Sequence, residues 1–148
     1  MLRLNPRLQG DLGEASAAQW LAFAGAAVAF PIHHTPDWDL IAEFGDELLR
    51  VQVKTSTVFR AGRWAITLKT SGGNRSWSGV VKRLDSSRCD RLFVVVGDGR
   101  RWFIPSRSLD GSSQIVLGGT KYAEFEVEPG PPLVLPTLED GVSRLPRD

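Results

Sequence analysis

Hydrophobic and polar positions change period several times along the chain, and each change marks an element. Residues 9–24 are strong helix formers (Ala, Leu, Glu, Gln), and Gly25 stands where a left-handed C-cap is favoured. Within that segment Glu14, Ala17, Ala18 and Leu21 follow i, i+3, i+4, i+7 spacing and share one face. The face is otherwise apolar and should turn inward, where a carboxylate is costly unless paired or bound to a metal. Residues 27–30 read as a short strand and 33–36 as a turn. Residues 38–44 and 48–58 read as strands joined across Gly45-Asp46, and Gly at the first turn position suits a type II′ hairpin. Residues 63–70 alternate as a half-buried strand does, 71–75 form a Gly/Ser/Asn loop, and 77–84 read as a short helix. The unbroken apolar run 92–96 has the pattern of a buried central strand. Asp98-Gly99 turns into a strand over 102–104 that Pro105 stops, and 114–117 and 122–127 read as late strands. Periodicity then fades, so the pattern predicts a single domain over 1–127 and a Pro-rich tail over 128–148.

The hairpin makes a chemical prediction. Pairing Phe44 with Glu47 across the turn sets Asp39 opposite Gln52 and Asp37 opposite Lys54. Alternate strand residues share a face, so Asp39, Gln52 and Lys54 project to one side, with directly opposed Cβ atoms about 4.5–5.5 Å apart. Leu40, Val51 and Val53 supply the apolar face. A carboxylate, an amide oxygen and an ammonium thus converge, and the inward Glu14 is placed to join them. Mg²⁺ takes oxygen ligands, commonly one or two carboxylates with water and substrate phosphate. A lysine beside it orients water and offsets charge building on phosphorus.

The 148 residues carry 18 Lys and Arg against 17 Asp and Glu, a net charge of +1 that hides strong segregation. Residues 8–49 hold acids and no Lys or Arg, whereas 50–107 hold Arg and Lys with only Asp85, Asp90 and Asp98 opposing them. A basic middle carrying Trp64, Trp77 and Trp102 suggests a polyanionic partner; the competing reading is a solvated face. Composition is that of a globular domain and excludes a disordered or disulfide-scaffold chain. The longest apolar stretch, 22–32, contains Gly25 and Pro31 and falls short of the ~20 residues that span a bilayer. No signal peptide is visible, Cys89 has no intrachain partner, and a cytoplasmic protein is expected.

Three segments, Gly10-Asp11-Leu12-Gly13-Glu14, Pro36-Asp37-Trp38-Asp39-Leu40-Ile41 and Val51-Gln52-Val53-Lys54-Thr55, resemble the PD-(D/E)XK nuclease superfamily. Their order and spacing are similar to the Holliday-junction-resolvase-like branch and to the compact group I intron homing-endonuclease family. The second likeness rests on Gln52, where most members carry an acid, and on Arg91-Leu92-Phe93-Val94-Val95-Val96 with Trp102-Phe103-Ile104-Pro105 downstream. It covers roughly residues 8–127.

The resemblance implies an α/β fold with a mixed β-sheet flanked by helices, and an endonuclease that hydrolyses double-stranded DNA with Mg²⁺ or Mn²⁺. It matches Asp39, Gln52 and Glu14 to metal-facing positions and Lys54 to the catalytic lysine. Asp37 is the rival to Asp39, and Asp39 is preferred because Leu40-Ile41 follow it as strand and because it sits opposite Gln52. A homo-oligomer, dimer or tetramer, is expected, since two strands of duplex need two active sites. Arg50, Arg60, Arg63, Lys69, Arg75, Trp77, Lys82 and Arg83 are candidate DNA contacts. The alternatives are a DNA-binding protein that kept the fold and lost catalysis, and a Holliday junction resolvase-like nuclease. His33-His34 reads as an exposed turn pair near the site and Cys89 as a buried small hydrophobe.

Overall fold

The apolar run becomes β8 (Arg91–Val96), at the centre of a six-stranded sheet in the computed structural model, which describes residues 5–35, 37–71 and 81–133. The strand order is β1 (Ala27–Ala29), β2 (Leu40–Phe44), β3 (Glu47–Ser56), β8, β9 (Arg101–Pro105) and β11 (Glu126–Val127). β3 and β8 run parallel, and the other neighbours pair antiparallel. Parallel neighbours need a long crossover, and this one carries β4 (Phe59–Arg60), β5 (Arg63–Thr67), β6 (Thr70–Ser71) and β7 (Val81–Lys82). β10 (Gln114–Leu117) completes a three-stranded sheet with β5 and β4, and β6 pairs with β7. The fold is the mixed α/β sheet that the resemblance implies, with one α-helix among the described residues.

Pleating explains why β8 is apolar on both faces. Phe93 and Val95 pack with Leu40, Val51 and with Ala17, Trp20 and Leu21 of helix α1 (Pro6–Phe23). Leu92, Val94 and Val96 face the opposite way, against Ile66, Leu68, Ile115 and Leu117 of the second sheet and its flanks. Each such side chain fully buried contributes roughly 1.5–3 kcal/mol, so this strand anchors both layers.

Several boundaries differ from the sequence reading. α1 begins at Pro6, ahead of residue 9, because Asn5 caps it through the Arg7 N–H (2.9 Å) and proline suits the first turn. Val81–Lys82 is strand, not helix; residues 77–80 lie outside the described set. Over 122–127 only Glu126–Val127 pairs with β9, because Tyr122 takes a left-handed φ of +65° and a 3₁₀ turn follows at Ala123–Phe125. Within residues 128–133, expected in the tail, Leu133 is buried in the core at 2% exposure, and its N–H donates to the Gly97 carbonyl (3.0 Å), while residues 128, 129, 131 and 132 are exposed. Buried Arg101 ties this stretch to α1, donating to the Glu128 carbonyl (2.7 Å) and to Gln19 Oε1 (2.7 Å). Charge-assisted donors with several acceptors explain how polar chain is held where composition alone reads a tail. No described helix is long and apolar enough to cross a membrane.

Candidate active site

The β2–β3 register follows the predicted hairpin from Phe44↔Glu47 to Leu40↔Val51. Gly45 carries φ +58° at the turn, as its glycine requires. The register then breaks. Asp39 N–H donates to the carbonyl of Val51 (2.8 Å), the residue already paired with Leu40, so Asp39 is an extra residue at the strand's start. It is not opposed to Gln52 in the ladder, and Asp37 is not opposed to Lys54. The insertion has the character of a β-bulge, which re-aims a side chain. Here it lets the Asp39 carboxylate accept the Val53 N–H (2.7 Å). Thr35 Oγ1 donates to the Trp38 carbonyl, fixing the approach to this bend. Asp37 is committed elsewhere, in an ion pair with Arg88 (3.1 Å).

α1 brings the second carboxylate. The helix lies so close to β3 that a Cβ on Gly13 would fall 2.2 Å from Thr55 Cγ2, so only glycine fits. Gln9 Nε2 adds a bond to Thr55 Oγ1 (3.1 Å) on the same helix. Glycine inside a helix costs about 0.5–1 kcal/mol relative to alanine, a signal that could have identified this contact from sequence. The neighbouring Glu14 thereby lines a cavity of about 280 Å³ together with Asp39, His34, Thr35, Trp38, Phe30 and Pro31. Phe30 and Pro31 carry no charge and left no mark in a search for chemistry. His34 is exposed, at the cavity's edge.

The charges in this corner oppose one another. Burial, then Asp39 and Asp11, push the Glu14 carboxyl above its ordinary pKa, and His34 opposes them. Burial raises Asp39 too, against the Val53 N–H, Lys54 and His34. Burial lowers Lys54, with Asp39 pulling the other way. Among the described residues Lys54 makes no side-chain hydrogen bond or ion pair. Gln52 is 9% exposed, on the sheet face it shares with Lys54, Leu92 and Val94. Its amide also makes no hydrogen bond among the described residues. No three His, Cys, Asp or Glu side chains converge into a preformed cage among the described residues. Two mutually repelling carboxylates on one cavity fit a hard cation that keeps several waters, as Mg²⁺ does.

The candidate DNA contacts divide. Arg60, Arg63, Lys69 and Arg83 are exposed. Arg50 is held by a two-pronged pair with Asp90 and by the Ser87 carbonyl, so its charge is already matched. The Lys82 side chain, Arg75 and Trp77 lie outside the described residues.

A family model for PD-(D/E)XK endonucleases matches residues 4–111. Among solved structures, the bacterial homing endonuclease I-Ssp6803I superposes with a TM-score of 0.65 at 21% identity, over 79% of this chain and 80% of that one. That likeness concerns the fold. No curated protein is matched. With the family model spanning most of the sequence, the chain belongs to the PD-(D/E)XK endonucleases and is a nuclease.

Proposed function

We propose that the chain is a divalent-metal-dependent endonuclease, homing-endonuclease-like, that hydrolyses phosphodiester bonds of double-stranded DNA. The observation that carries this reading is the meeting of Glu14 and Asp39 on one cavity, with the Lys54 ammonium, unpaired among the described residues, acting on Asp39. Asp39 and Glu14 would hold Mg²⁺ or Mn²⁺, with Gln52 offering a neutral oxygen. The bound ion supplies Lewis-acid polarisation of the phosphate and a more acidic water. Lys54 orients the attacking water and offsets the negative charge that grows as the new P–O bond forms and the ester bond breaks. The bulge at Asp39 and the glycine seat of α1 support this reading, since carboxylates held before substrate arrives need little ordering at the reaction. A dimer or tetramer would bring one site to each strand of the duplex. Such a protein would act in the cytoplasm.

One observation favours a second reading, a DNA-binding relative without catalysis: Gln52 brings no charge where the resemblance leads one to expect an acid. Incubation of the purified protein with supercoiled plasmid and four-way junctions, in Mg²⁺, Mn²⁺ or EDTA, separates the readings. Nicking or linearisation of plasmid in either metal and none in EDTA is expected. Binding without cleavage in any metal would establish the second reading, and cutting confined to junctions would make the chain a resolvase.

A further inference from the structure

The hairpin joining β4 to β5 turns at Ala61-Gly62, both with left-handed backbone (φ +49° and +73°). It sets Arg60 directly opposite Arg63. Like charges directly opposed across an antiparallel pair are destabilising. Among the described residues no carboxylate relieves them, since the ion pairs involve Arg50, Arg88 and Arg100. Arg63 is nevertheless positioned. Its Nη1 donates to the Gly62 carbonyl (3.0 Å), and its guanidinium lies against Gly119 so closely that a Cβ there would meet Nε at 2.7 Å.

Arg63 lines a cavity of about 400 Å³ with Ser112, Gln114, Thr120, Lys121 and Tyr122. Two cations, three hydroxyls and an amide meet there, and no carboxylate is in the lining. Tyr122 adopts φ +65°, a conformation few aromatic residues take, and its ring lies 5.2 Å from the Lys121 ammonium. Donors of positive charge with no acid among them suit an anion bearing several acceptor oxygens, as a phosphate does.

We propose that this cavity, between the β4–β5 tip and the 118–122 loop, is a second DNA site that grips a backbone phosphate away from the bond that is cut. The choice of DNA over free phosphate rests on the nuclease reading. Chain connectivity bounds the placement: six extended residues from Lys54 to Arg60 span at most about 21 Å, and the cross-strand step to Arg63 adds about 5 Å. That bounds the Cα separation at about 26 Å; two extended side chains add to it, so at about 3.4 Å per base pair the gripped phosphate lies within roughly a dozen base pairs of the scissile one.

The test measures duplex affinity against salt, with EDTA present so that no cutting intervenes. Each phosphate contact contributes about 0.9 to the slope of log K against log salt. The double variant Arg63→Gln/Lys121→Gln changes two exposed side chains and should make that slope shallower by about 0.9, the worth of the one phosphate gripped. Its affinity loss between about 50 and about 200 mM salt should accordingly shrink about three- to fourfold relative to the parent. Gly119→Ala keeps every charge and displaces only the flexible end of Arg63, so a several-fold weaker complex with unchanged thermal stability is expected. An unchanged slope in the double variant overturns the site. So does parental affinity in Gly119→Ala, which would mean diffuse charge and no built pocket. Competition by inorganic phosphate or a deoxynucleoside monophosphate at micromolar concentration, with no change in the DNA slope, would assign the cavity to free phosphate and refute the DNA grip. A parent that cuts DNA while its slope ignores these substitutions loses only this site. A parent that binds no DNA loses the nuclease reading with it.

Discussion

β3 carries two cations that meet carboxylates in opposite ways. Near its start, Arg50 Nε and Nη2 reach the two oxygens of Asp90 at 3.0 Å each, and the Arg50 backbone N–H adds a third bond (2.7 Å). Those bonds hold Asp90 below the ordinary carboxylate range and Arg50 above its own. Further along, Lys54 and Asp39 sit deeper, make no such fork, and are each pushed toward neutrality by burial. The same charge types on one strand therefore do different work. Arg50–Asp90 is electrostatically satisfied and ties β3 to the residue before β8. Lys54–Asp39 stores unfavourable desolvation, which is the condition in which a group gains by meeting a cation or a phosphate.

The sharpest way to break the comparison is catalytic. Asp39→Asn or Lys54→Ala should lower plasmid cleavage by about 10²–10⁴-fold, the usual worth of a positioned acid–base group, with DNA affinity largely kept. Arg50→Gln should stay within about tenfold of the parent, since its charge is spent on Asp90. Equal losses at Arg50 and Lys54, measured as initial cleavage rates, would erase the distinction.

How far this was legible in the sequence depends on the kind of signal. Strand parity and the Gly45-Asp46 turn locate β2, β3 and the shared face of Gln52 and Lys54, because pleating is a local rule. The bulge at Asp39 leaves no such trace. It depends on a backbone carbonyl, that of Val51, accepting from a second residue, and nothing in side-chain alternation reports that. Arg50 reads from sequence as a free basic residue, because Asp90 is remote in the chain and joins it only through the parallel β3–β8 pairing. Leu133 fails for a related reason: a Pro-rich stretch has no period, yet single apolar residues in it can still fill a core.

Gln52 sharpens the comparison at a smaller scale. If its amide oxygen faces the metal, Gln52→Glu should lower the magnesium concentration needed for half-maximal cleavage, because hard cations prefer carboxylate to amide oxygen. Activity at saturating metal need not rise, since the added charge repels phosphate and favours the ammonium form of Lys54. Gln52→Leu should reduce cleavage by about tenfold, in line with the loss of one supporting contact at a metal site. Cleavage equal to the parent in the Leu variant would leave Asp39, Lys54 and Glu14 to carry the site.

The satisfied pair should show itself in stability. Asp90→Ala leaves the Arg50 N–H and guanidinium short of a partner and should cost about 1–2 kcal/mol at neutral pH by denaturant unfolding, discounted because both groups are partly exposed. The pH dependence has a definite sign. Asp90 has a folded pKa below its unfolded one, so its contribution is present above the unfolded value of about 3.9. It is lost as pH falls through the lower, folded value. The acid limb of the stability curve should therefore be shallower in Asp90→Asn than in the parent.

The smallest effect is the most direct contrast. Asp39 has a raised folded pKa, so its ionised form costs the folded state stability at neutral pH, the reverse of Asp90. Asp39→Asn removes that charge while its amide oxygen can still accept the Val53 N–H. In metal-free buffer this variant should be as stable as the parent or more stable, by about 0.3–1 kcal/mol, where Asp90→Asn is less stable. Magnesium should then reverse the order of parent and variant. Binding to the folded state adds RT ln(1 + [L]/Kd), about 1.4 kcal/mol when the ion is at about ten times its Kd, and the Asn variant should gain less. The Asp90 variant, away from both carboxylates, should gain as much as the parent. Thermal unfolding of the three proteins with and without magnesium measures all of this. A destabilised Asp39→Asn in metal-free buffer would show that the Val53 bond outweighs desolvation and that this carboxylate, like Asp90, serves the fold.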